Sequence, residues 1–158
     1  MFKPTSLATF VALLISTVPV QAQHSVATGK TAYDPELARS VGADENGMKS
    51  YVLVILKTGP NRMPEGPERD EMFKGHFANM NRLAAEGKLA LAGPFDGADG
   101  WRGLFIFAVS DIDEAKRIAA TDPVIIKGEM VAEYHKYYGS AALMLIRDAH
   151  EKITKKRF

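Results

Sequence analysis

WRGLFIFAVSDIDEAKRIAATDPVIIKGEMVAEYHKYY, residues 101–138, is the stretch on which the fold turns. Trp101 to Val109 is apolar on both faces toward its end, which predicts a strand covered on two sides. Ser110 then caps a helix, with Asp113 three residues on in a capping-box-like position. Ile112, Ala115, Ile118 and Ala119 make its inward stripe. Asp122-Pro123 starts a short turn that Gly128 ends, and Met130 to Tyr138 reads as another strand.

Upstream the same grammar recurs. Tyr51 to Leu56 (YVLVIL) is β-branched and apolar without alternation, as in a central strand. Gly59-Pro60-Asn61-Arg62 breaks it, and a Pro/Gly-rich loop runs to Pro67. Pro67 suits a first helical position, Glu68, Asp70 and Glu71 complement the positive helix end, and Gly87 suits the C-terminal cap. At about 100° per residue from Met72, the arc from about 0° to 140° holds Leu83, His76, Met80, Phe73, Ala84 and Phe77. Asn79, Arg82 and Glu86 fall outside it, so His76 is expected within the buried stripe. Lys88 to Ala92 is a strand ended by Gly93-Pro94, and Asp96 to Gly100 is a turn. The order β-α-β-β-α-β predicts an α+β, ferredoxin-like fold: a four-stranded antiparallel sheet with two helices on one face. The other face, built from apolar strands, needs a cover, and a second copy of the chain is the economical one.

The chain has 158 residues, 46% hydrophobic and 25% charged, within the globular range. It has no cysteine, which excludes disulfides, thiol nucleophiles and Cys-ligated metal. A net charge of +1 gives no pull toward nucleic acid. Residues 1–22 carry Lys3, an apolar core from Leu7 to Val18 and Val20-Gln21-Ala22 at the cut, a secretory signal peptide rather than a stable membrane anchor. Its removal leaves 19 basic and 19 acidic residues in a periplasmic or secreted chain. Residues 23–49 read as a linker with one short helix after Asp34-Pro35, residues 50–139 as the domain, and residues 140–158 as a basic helical extension.

YVLVILK, GHFANMNRLAAEGKL, LAGPF and GLFIFAVSDIDEAKRIAATDPVIIKGEMV, in that order, resemble the YciI-like (YCII-related) family across residues 51–138. That resemblance implies a dimeric α+β barrel with two sheets packed face to face, and an active site at a His–Asp pair. The family's histidine matches His76, and its aspartate is carried over to Asp122. A related domain belongs to a dehydrochlorinase of a chlorinated hydroxyquinol, and relatives include muconolactone isomerase-like proteins. The signal peptide, the linker and the C-terminal extension depart from the family's small cytoplasmic members.

An imidazole both takes and gives protons near neutral pH, so His76 is either an acid–base group or a core histidine bonded to a backbone carbonyl. Asp122 before Pro123 is a helix cap that can also orient an imidazole. Alternation puts Glu133, His135 and Tyr137 on one face of the last strand, toward the dimer, as acid–base groups or a polar cross-dimer set. Arg62 is a candidate carboxylate clamp, and Trp101 a pocket wall beside Phe95. No phosphate loop, dinucleotide fingerprint, GxSxG or HExxH occurs, so no cofactor or metal is expected. The expected activity is small-molecule binding with His76/Asp122 acid–base catalysis, an isomerisation or elimination. The alternative is a non-catalytic periplasmic binding or accessory module in which both residues are structural.

Overall fold

A computed structural model describes residues 32–156. The expected signal peptide and residues 23–31 of the expected linker lie outside the described residues. Helix α1, Pro35–Val41, opens on Asp34, whose carboxylate accepts the N–H groups of Glu36 and Leu37, and closes on Gly42 at φ 69. That is the short helix expected after Asp34-Pro35. The Asp44 carboxylate then accepts from the N–H groups of Asn46 and Met48 and turns the chain into the first strand.

That strand, β1, runs from Met48–Thr58, longer at both ends than its apolar kernel. Its partner β4, Met130–Ser140, supplies the reason: the two pair along their whole length, from Met48 opposite Ser140 to Thr58 opposite Met130. Between them in sequence come α2 (Pro67–Ala85), β2 (Leu89–Pro94), a 3₁₀ turn (Ala98–Gly100) and β3 (Trp101–Phe107). Next are α3 (Ile112–Ala119) and a single helical turn, α4 (Pro123–Ile126). The cap of α3 is Asp111, not Ser110; its carboxylate accepts the Glu114 N–H at 2.8 Å. The strands form one antiparallel sheet in the order β2-β3-β1-β4, the expected ferredoxin-like arrangement.

Val52, Val54 and Leu56 of β1 pack with Phe105 and Phe107 of β3 against the helices, giving the main core. The stripe that α2 buries is Met72, His76, Asn79 and Leu83, which differs from the expected arc. Asn79 is only 9% exposed and Phe77 is 40% exposed, the reverse of the polarity-based reading. The Asn79 amide oxygen accepts from Arg82 at 2.7 Å and Thr121 at 3.2 Å, while its Nδ2 is buried without an acceptor among the described residues. The helix is rotated about its axis so that bare Gly75 meets α4.

On the opposite sheet face the chain supplies part of its own cover. Tyr51, Ala90 and Ile106 are buried there beneath Leu143 and Met144. These two belong to a 3₁₀ turn, Ala141–Leu145, that leads into α5, Ile146–Ile153. The expectation that a second copy covers the face is thereby narrowed to the rest of it, where Val131 and Tyr137 stay exposed.

Gly59 ties the end of β1 to the start of β4: its N–H donates to the Glu129 carbonyl at 2.8 Å. A Cβ there would stand 2.1 Å from the Gly128 carbonyl oxygen. Gly59→Ala should therefore destabilise the fold by about 3 kcal/mol in urea unfolding, the upper range for forced overpacking. An unchanged midpoint would refute this close approach.

Candidate functional site

His76 and Asp122, 46 positions apart, are in direct contact. The imidazole Nδ1 lies 2.8 Å from one Asp122 carboxylate oxygen and 2.9 Å from the other. Two local features make the meeting possible. Gly75 presents bare backbone to α4; a Cβ on it would lie 3.0 Å from Pro123 Cγ, tighter than side chains normally approach. Asp122 is also the cap of α4, its Oδ1 accepting the Val124 N–H at 3.1 Å, which holds the carboxylate still.

Asp122 is 1% exposed and His76 7%. A carboxylate so buried needs its charge met by donors. The Val124 N–H is one and Nδ1–H is the other. Because a carboxylate only accepts, Nδ1 carries a proton, and in the neutral imidazole that leaves the lone pair on Nε2. Among the described residues Nε2 makes no hydrogen bond to protein. Aromatic rings wall the imidazole: Phe73 edge-on at 6.0 Å, Phe77 at 5.4 Å and Phe105 at 6.0 Å between centroids.

A second buried carboxylate was not singled out by its sequence. Glu129, at 0% exposure, accepts from the Met63 N–H at 2.7 Å and from Arg69 at 3.2 Å, and Arg102 stands 3.7 Å away. Burial pushes its carboxyl up, but the Met63 N–H, the Arg69 guanidinium and the Arg62 charge outweigh that and leave it below the ordinary glutamate value. One signal was present: Arg69 falls at about 60° on the α2 wheel, inside the arc assigned to the core.

The other expected site residues are dispersed. Glu133, His135 and Tyr137 do share the open face, opposite Ile55, Leu53 and Tyr51 of β1. Glu133 bonds Lys57, and His135 Nε2 at 2.7 Å; the Lys57 hydrogen bond first and then that of His135 lower its carboxyl. Tyr137 sits 6.2 Å from the Tyr51 ring. In the single chain the sheet separates this set from His76 and Asp122, which belong to the helix layer. Arg62 is exposed in the loop after β1, and Trp101 is exposed against Phe95 at 5.6 Å. Among the described residues no group of three His, Asp or Glu is placed to hold a metal, and no helix is long and apolar enough to cross a membrane.

The family model for the YCII-related domain matches residues 50–135, from β1 through most of β4. Uncharacterized protein YjpA of Bacillus subtilis (strain 168) is 34% identical over 81 residues, 51% of this chain and 85% of that protein. The matched span of the family model holds His76, Asp122 and Glu129; α1 and the C-terminal cover lie outside it.

Glu129 makes a pH prediction. Its folded pKa is below the ordinary 4.5, so its stabilisation is full above that value and is lost as pH falls through the folded one. Glu129→Gln should lower stability by about 2–3 kcal/mol at pH 7 and flatten the acid limb of the stability curve. Urea midpoints measured from pH 7 downward check both, and an acid limb parallel to wild type would count against the assignment.

Proposed function

This chain belongs to the YCII-related domain family, and from that premise we propose that it binds a small cyclic or aromatic molecule and moves a proton on it with His76. One observation carries the reading: a buried imidazole held by its Nδ1 on Asp122, with Nε2 left free of protein hydrogen bonds among the described residues. Nε2 takes a proton from an acidic C–H of the ligand. Asp122, 2.8 Å from Nδ1, stabilises the imidazolium that forms. The proton returns at another carbon in an isomerisation, or a leaving group departs in an elimination. Phe73 and Phe77 keep water from the ring and suit a flat ligand. Lys3 followed by the apolar run Leu7 to Val18 supports export, with the work done in the periplasm or the exterior. A second copy completes the cover of the open face over Val131 and Tyr137.

Asp122→Asn is the sharpest variant. Asparagine still caps α4, but its amide donates to Nδ1 and moves the imidazole proton to Nε2, where a base is needed. Deuterium exchange into the acidic C–H positions of cyclic lactones and hydroquinones, followed by proton NMR, should slow about 10²–10⁴-fold in Asp122→Asn and in His76→Asn. Exchange that persists at the wild-type rate in both folded variants would sink the proposal. The capping bond of Asp122 to Val124 favours a second reading, a structural pair in a non-catalytic module. That reading gains if wild type exchanges none of these compounds and His76→Asn unfolds. Sedimentation should find a dimer; a clean monomer would remove the proposed cover.

A further inference from the structure

We infer that Arg69 and Arg102, with Arg62, form a seat for the carboxylate of an organic acid. Both guanidinium groups of the pair converge on one oxygen of Glu129, Arg69 at 3.2 Å and Arg102 at 3.7 Å. The other Glu129 oxygen is taken by the Met63 N–H. Arg62 adds a third positive charge that Glu129 feels. Two guanidinium groups thus face one carboxylate, with the Arg62 charge acting on it from the exposed loop after β1, and Glu68 is turned toward Lys127 at 3.4 Å. The surplus is not only of charge. Arg69 Nε is buried with no hydrogen-bond acceptor among the described residues, and buried Arg102 Nη1, 3.7 Å from Glu129, is beyond hydrogen-bond distance of its oxygen and has no other acceptor among them. Buried donors without acceptors are destabilising, and an arginine fork matches a planar carboxylate. The side chains are still 20% and 19% exposed, through atoms other than these two donors, and it is that outer part of each side chain that a small anion would meet first. The positive end of α2 begins two residues before Arg69, and its cap residue Gly66 offers it no side chain.

The seat adjoins the imidazole. The Arg69 guanidinium lies 4.7 Å over the Phe73 ring, whose edge meets His76. Arg69, Phe73 and His76 lie within an arc of about 60° on α2, and Arg69 and His76 are separated by about 10 Å of helix. A cyclic acid held at the arginines would lie along Phe73 toward Nε2. That the bound acid is the substrate rests on the acid–base reading; the seat itself does not.

Benzoate is the probe, titrated into the full-length ¹⁵N-labelled chain while the arginine Nε–Hε resonances are followed. Benzoate should shift those of Arg69 and Arg102. Arg102→Lys keeps the charge beside Glu129 but loses the fork, and should weaken binding roughly 10-fold. Arg62→Met, a change at an exposed loop position, should weaken it less, and Arg39→Met in α1 should not alter it. Benzoate that moves neither resonance, or that binds Arg102→Lys as tightly as wild type, would overturn the seat. Inorganic phosphate displacing benzoate at lower concentration would overturn its assignment to a carboxylate. No turnover enters this titration, so its failure leaves the proton-transfer reading standing, and the reverse holds too.

Discussion

The Asp122 carboxylate is almost wholly removed from water, and that state is tolerable only because two donors reach it at once. One comes from its own turn, the Val124 N–H; the other comes from α2, the Nδ1–H of His76. The bond therefore joins α2 to α4 at a fixed point. The close approach of Gly75 to Pro123 serves the same junction, because any side chain there would push the carboxylate away from the imidazole. The rotation of α2, the inward turn of Asn79 and the outward turn of Phe77 fit this one constraint.

Glu129 repeats the arrangement at the other end of the helix layer, with charge added. Its main chain closes the β1–β4 junction through Gly59, and its side chain gathers the loop after β1, the start of α2 and the start of β3. Ionic groups buried this deeply stabilise less than their number suggests, because desolvation offsets most of the attraction. Their value here is positional: they bring guanidinium groups from distant segments to one oxygen, beside the aromatic wall of His76.

The sheet has two differently finished faces. The helix face is closed by α2, α3 and α4, while the opposite face is closed at one end by the C-terminal turn and left polar and half-open along β4. The Lys57–Glu133–His135 set occupies that half-open strip. Alternation along β4 was readable because strand geometry fixes it. Lys57 as a partner was not, because cross-strand pairing depends on register, which a single strand does not encode.

The order of elements, the helix at Asp34-Pro35, the strand kernels and the inward placement of His76 were all legible from the chain, because each depends on contacts within a few residues. Capping, turn chemistry and periodicity are local effects. The cap of α3 moved by one residue, from Ser110 to Asp111, since either side chain can serve and only the exact helix start chooses between them. What tertiary structure decided was which side chains face each other: His76 with Asp122, Arg69 and Arg102 with Glu129, Leu143 with the open face. Buried polar groups are satisfied by partners far away in sequence, and the energy that selects those partners exists only once the layers have closed and water has left.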